Sequence, residues 1–220
     1  MLRVPTEKTR NRLFATLGSV YERKDRFYRK AKQHGLRSRA AFKLEDLDQG
    51  VIKSGDRVVD LGCWPGGWLQ VAARRVGKSG TVIGVDVRKP APIGLANVRL
   101  IQGDVCEPHI VDEIARLLGG PADVVLSDLA PALSGIRVRD EARARELVER
   151  ALTVAQRLLR LGGGFVCKLF MNAEYVELRE AIRARFERVS ATRSEATRKG
   201  SSELYVIALG FRGDSPARAW

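Results

Sequence analysis

The sequence predicts a single α/β domain whose mostly parallel sheet is covered by helices on both faces. Three observations carry that prediction. Short apolar runs of strand length alternate with segments of helical periodicity. The first run passes into a glycine-rich turn that opens a helix. The next two runs each finish at or just before an aspartate.

Taken in order, residues 57–61 (RVVDL) form the first buried strand, and a Gly-Pro turn leads into a helix over 67–76. Residues 81–86 are the second strand, 98–101 the third and 122–127 the fourth, with a helical pattern over 111–118 between the last two. Val148, Ala151, Leu152, Ala155, Leu158 and Leu159 then recur at spacings of three and four, which marks a long amphipathic helix. Gly162-Gly163-Gly164 is expected to close it, since glycine accommodates the left-handed conformation of a helix end. A fifth strand over 165–170, a helix over 174–186 and a final strand over 203–211 complete the pattern. Residues 1–25 are expected to be a basic arm, 26–212 the single domain and 213–220 a short tail.

With 220 residues, 45% hydrophobic and 30% charged, the chain has the composition of a globular protein with one core. Its net charge of +13 is concentrated. Residues 1–43 hold thirteen Lys or Arg against Glu7, Glu22 and Asp25, so the first fifth carries ten of the thirteen net positive charges. Such an arm suits a polyanion, most simply nucleic acid. Cys63, Cys106 and Cys167 lie far apart without a Cys-x-x-Cys, and His34 and His109 are isolated. Disulfides and a metal site are therefore not expected, and the cysteine usage fits a cytoplasmic protein. No segment approaches a membrane span and no apolar stripe is left over, so a monomer away from membranes is expected.

The turn Val58-Val-Asp-Leu-Gly62-Cys-Trp-Pro-Gly66-Gly67-Trp68 matches neither the dinucleotide fingerprint nor a P-loop. Asp86 stands where such folds hold the hydroxyls of a ribose, and Asp104 is placed to reach an adenine. Each alone reads as a solvated strand-end acid. Together with the glycine turn they favour a nucleoside ligand. Acids without arginine suit a cationic sulfonium cofactor better than a pyrophosphate.

Five segments resemble the FtsJ/RrmJ family of ribose 2′-O-methyltransferases over roughly residues 25–212. They are residues 35–44 (GLRSRAAFKL), 59–68 (VDLGCWPGGW), 127–131 (SDLAP) with Ser134-Gly135, 165–168 (FVCK) and 201–205 (SSELY). The resemblance implies a Rossmann-like class I methyltransferase fold with a mostly parallel seven-stranded sheet. It implies S-adenosyl-L-methionine as cofactor, held by Gly62, Gly66, Gly67, Trp68, Asp86, Asp104 and Asp128. It implies a catalytic tetrad of Lys43, Asp128, Lys168 and Glu203, and as substrate a uridine of 23S RNA in the large ribosomal subunit, free or assembled. A transfer-RNA 2′-O-methyltransferase and a non-catalytic ribosome-assembly factor are the alternatives. Cys63-Trp64 stands where the bacterial branch of the family has small residues, which bears on packing beside the cofactor.

A ribose hydroxyl is a weak nucleophile because it is barely ionised at neutral pH, so its proton needs an acceptor. Lys168 is the expected base, with Asp128 and Glu203 positioning it and Lys43 orienting the 2′-oxygen. Burial and Lys43 favour the neutral amine and the two acids favour the ammonium; the sequence leaves the balance open. For docking RNA, Arg29, Lys32, Arg37 and Arg39 lie in a segment that mixes cations with Phe27 and Tyr28, one of which is expected to sit partly in the core. Arg193, Arg198 and Lys199 form a second basic group before the last strand.

Overall fold

The computed structural model describes residues 26–132, 134–197 and 200–213. The expected arm (1–25), residues 214–220 of the tail, Arg198 and Lys199 lie outside these. In chain order the elements are α1 (Arg26–Gln33), α2 (Ala40–Leu47), β1 (Arg57–Leu61), α3 (Gly67–Val76), β2 (Thr81–Asp86), β3 (Val98–Gln102) and α4 (Pro108–Leu118). They continue with β4 (Ala122–Ser127), α5 (Arg137–Leu158), β5 (Leu159–Phe170), α6 (Tyr175–Arg183), β6 (Phe186–Thr192) and β7 (Glu203–Phe211).

The strands form one sheet in the order β3-β2-β1-β4-β5-β7-β6. β1 to β5 are parallel, and β7 enters antiparallel between β5 and β6. Alternation along each strand divides the core. Leu61, Ile83, Val125 and Phe165 face α4, α5 and α6, while Val58, Leu126, Val166 and Tyr205 face α1, α2 and α3. Both faces are apolar because both are covered, and burying each such side chain contributes about 2 kcal/mol. The same alternation sends Asp60, Asp128, Lys168, Glu203 and Tyr205 to the face of α1–α3.

Two expectations are corrected. α5 ends at Leu158 without the glycine cap, and Leu159 is already extended. The glycine triplet lies inside β5, at an irregularity where Ala122 pairs with Leu159 and Val124 with Gly164. A side chain on Gly163 would meet the carbonyl oxygens of Arg160 and Asp123 at 2.9 and 3.1 Å, so glycine is needed for close backbone approach, not for capping. The helix expected to reach residue 186 stops at Arg183, and Phe186 opens β6. That edge strand was not foreseen because all but Phe186 and Val189 are exposed, which leaves a weak apolar pattern.

Candidate active site

Between β1 and β4 the strand order reverses, and a ligand cleft opens there at the carboxyl ends of the strands. The cleft encloses about 510 Å³ and is lined by Gly62 beyond β1, Asp86 at the end of β2, Asp104 beyond β3 and Asp128 beyond β4. Asp86 organises its rim, accepting the Trp64 N–H at 2.9 Å and the Arg88 N–H at 2.8 Å. Asp104 accepts the Cys106 N–H at 2.8 Å. Gly62 has φ +79°, and a side chain there would strike Leu129 at 2.8 Å. Trp64 forms an exposed wall, with the Arg88 guanidinium 4.7 Å from the centre of its ring.

Gly66, Gly67 and Trp68, expected at the cofactor, stand at the turn and the start of α3, with Gly67 and Trp68 against the α2 segment and Gly66 against Arg37 and Ile93. A side chain on Gly67 would fall 2.2 Å from Ser38 Oγ. The Trp68 indole is buried, donates to the Ala40 carbonyl at 2.7 Å and packs 5.8 Å from the Tyr205 ring. Gly67 and Trp68 fix α3 against α2, the helix that carries Lys43.

The four expected catalytic residues come together. Lys168, 6% exposed on β5, donates to the Asp128 carbonyl at 2.8 Å and to Asp128 Oδ1 at 2.9 Å. Lys43, also 6% exposed, donates to Glu203 Oε1 and to Tyr205 Oη, the latter at 3.0 Å. Tyr205 joins the two pairs, its hydroxyl lying 3.0 Å from Asp128 Oδ1 and 2.9 Å from Glu203 Oε1. One hydroxyl proton serves two carboxylates, so the pairs act as a single network. Burial pushes the Tyr205 hydroxyl pKa far up, and the charges of Asp128 and Glu203 add to that. Burial also acts to raise Glu203, but the Lys43 charge and hydrogen bond, with Lys168 and the Tyr205 hydroxyl, bring it below the ordinary carboxylate value. Tyr205 was not among the expected site residues; its signal was a tyrosine two positions from Glu203, on the same strand face.

Asp60 on β1 was also not foreseen. It is fully buried, and neither carboxylate oxygen has a hydrogen-bond partner among the described residues. Burial, with the charges of Asp128 and Asp86, raises its pKa well above the ordinary value. Its proton-bound form is the one this environment favours.

Of the expected RNA contacts, Arg29 and Lys32 are exposed on α1, and Arg39 is half-buried beside α2. Arg37 is committed elsewhere. Its guanidinium donates to the carbonyls of Pro92, of Ala91 at 2.6 Å and of Pro65 at 3.4 Å, tying the 91–92 loop to the glycine turn. Phe27 packs half-buried, 6.0 Å from Phe42, while Tyr28 is exposed. Arg193 is exposed.

The acids of the cleft fit a nucleoside that carries positive charge, since Asp86 retains lone pairs for ribose hydroxyls and no described cation opposes a sulfonium there except Arg88, which rests on Trp64. Comparison with known proteins gives the same direction. The FtsJ-like methyltransferase family matches residues 36–211. Proteins named ribosomal RNA large subunit methyltransferase E are similar along most of their length. That of Methanothrix thermoacetophila is 46% identical over 84% of this chain and 72% of its own, and that of Syntrophobacter fumaroxidans 45% identical over 87% and 98%. A crystal structure described as a ribosomal RNA methyltransferase, from Plasmodium falciparum, superposes with a TM-score of 0.70 at 28% identity, covering 80% of this chain and 99% of that one. With its glycine turn, strand-end acids and buried Lys-Asp-Lys-Glu network all inside the matched span, the chain belongs to the FtsJ-like methyltransferase family.

Proposed function

We propose that the protein transfers a methyl group from S-adenosylmethionine to a ribose 2′-hydroxyl of large-subunit ribosomal RNA. The observation that carries this reading is the contact of Lys168 with Asp128, because Asp128 also lines the nucleoside cleft. The proton-handling group therefore borders the place where the methyl donor would lie. The kinship with methyltransferases named for the large ribosomal subunit supports the choice of RNA.

S-Adenosylmethionine would be held by Gly62, Gly66, Gly67, Trp68, Asp86, Asp104 and Asp128, and would supply an electrophilic methyl on a sulfonium. The chain's own residues do the rest. Lys168 has two donors engaged by Asp128, which leaves its third nitrogen position for the 2′-hydroxyl, where as the amine it takes the proton. Lys43, with Glu203 and Tyr205 on two positions, directs its remaining N–H at the 2′-oxygen and fixes the line of attack. Glu203 and Tyr205 keep both lysines in place. The basic arm and the exposed Arg29 and Lys32 hold phosphates, and the protein works as a cytoplasmic monomer beside the ribosome.

The test is methyl transfer from labelled S-adenosylmethionine to total RNA and to isolated ribosomal subunits, by wild type and Lys168→Ala. Methylation of a 2′-oxygen removes the nucleophile of alkaline RNA cleavage, so alkali-stable label in the large subunit, absent with the variant, is the expected result. Cofactor and RNA binding without transfer to any RNA would sink the reading and favour an assembly factor. Label in transfer RNA alone would correct the substrate.

A further inference from the structure

Resting on that reading, we propose that a second recess, one wall away from the cofactor cleft, receives the base of the acceptor nucleotide and holds it through Asn172. The recess encloses about 410 Å³ and shares Pro131 with the cleft. Its walls belong to the same edge of the sheet as the tetrad. Phe170 and Met171 follow Lys168 by two and three residues, and Ser202 immediately precedes Glu203. A pocket of that size accommodates a small planar ligand.

Covalent geometry demands such a pocket. The base and the 2′-oxygen of a nucleotide sit on adjacent carbons of one ribose. With the oxygen at Lys168 the base must lie in a space bordering the tetrad, and the cleft beyond Asp128 is taken by the methyl donor. Pro131, Phe170 and Met171 present an apolar surface there, and Met171 is 55% exposed, although it is a large thioether. A nucleobase turned out of its stack offers a flat face to such a surface.

The charged walls are already engaged within the protein. Arg137 pairs with Glu141 at 2.8 Å, and Asp140 accepts from Ser134 and Gly135. Asn172 is different. Its Oδ1 accepts the Glu174 N–H at 3.2 Å, which fixes the amide orientation. Its amide nitrogen has no partner among the described residues. The amide group left without a partner is thus a donor, and it suits an acceptor on a base edge, a carbonyl oxygen or a ring nitrogen.

The experiment measures kcat/KM on large subunits whose acceptor nucleotide carries its native base or is abasic with the ribose intact. Wild type, Asn172→Ala and Met171→Ala are compared, with cofactor affinity and thermal melting as controls. Asn172→Ala should lower kcat/KM on the native base about tenfold, the loss of one hydrogen bond, and have no effect on the abasic acceptor. Met171→Ala should raise KM several-fold on the native base alone. Both should bind S-adenosylmethionine like the wild type, and Asn172→Ala should melt slightly lower because the Glu174 N–H loses its acceptor. A wild type equally active on the abasic acceptor overturns the proposal, as does an Asn172→Ala variant with kcat/KM within twofold of the wild type on the native base. Absence of transfer by the wild type on every substrate would overturn the methyltransferase reading itself.

Discussion

The hydroxyl of Tyr205 lies 3.0 Å from Asp128 Oδ1, and through that contact the Lys43–Glu203 pair is coupled to the Lys168–Asp128 pair. Tyr205→Phe removes the link while keeping the ring that packs on Trp68. The expected outcome is a stability loss of about 1–3 kcal/mol in urea denaturation, because buried carboxylates lose a donor. The maximal rate should fall by roughly tenfold with little change in cofactor affinity. An unaltered maximal rate would show that the two pairs act independently.

Glu203 and Asp60 should give stability profiles of opposite slope. Glu203 titrates below its ordinary value of 4.5, so its contribution is complete above that pH and is lost as pH falls further. Asp60 titrates above its ordinary 3.8, so the folded state binds the extra proton, and its unfavourable contribution grows as pH rises from there. Asp60→Asn should therefore raise the denaturation midpoint at pH 7 and have little effect near pH 3. A midpoint that falls at pH 7 would mean that the carboxylate is held by favourable contacts.

Cys106 should report ligand binding. It lines the cleft and is half-buried, and burial and Asp104 raise its thiol; Cys63 and Cys167 are closed off from solvent, with burial pushing the Cys167 thiol up to about 12 and also raising Cys63, beside Asp60 and Asp86. An alkylating reagent at pH 8 should label one thiol in the native protein and all three after unfolding. Saturating S-adenosylmethionine should slow the native labelling at least several-fold. Equal rates with and without it would remove the cofactor from this cleft.

Arg37 and the α1 cations should separate by phenotype. Arg37→Ala frees the 91–92 loop and should weaken cofactor binding and lower the melting temperature. Arg29→Glu with Lys32→Glu should leave both intact, weaken RNA binding roughly tenfold and reduce its salt dependence by about two counterions. Calorimetry and salt-dependent RNA titrations distinguish these outcomes.

Trp64→Ala removes an exposed wall of the cleft. A several-fold rise in the dissociation constant for S-adenosylmethionine is expected, as for loss of one aromatic contact. An unchanged constant in calorimetry would assign Trp64 to RNA or to the surface alone.

The parallel half of the sheet was legible because β1, β2 and β4 are buried on both faces and so read as short, mainly apolar runs. β6 was not, since an exposed edge strand carries little apolar pattern. The tetrad was legible through motif resemblance; Lys43 and Glu203 have no local signal that would pair positions 160 residues apart. Side-chain direction was the weakest inference. Glycine richness located the turn but not which way Gly66, Gly67 and Trp68 face, and the commitment of Arg37 to backbone carbonyls depends on a loop that only folding brings near. The buried Asp60 was hidden because an acid in an apolar strand looks the same whether its oxygens are satisfied or not.

The late entry of β7 between β5 and β6 has a consequence for biosynthesis. Among the described elements, Glu203 and Tyr205 are supplied by the last strand to be translated, and Lys43 by the second helix. A nascent chain that has emerged through β5 holds the cofactor-facing acids but no complete tetrad, and the edge of β5 waits for its partner. The network is thus incomplete until β7 has paired with β5, and shortening the chain before residue 203 should leave a protein that retains the nucleoside cleft and lacks methyl transfer.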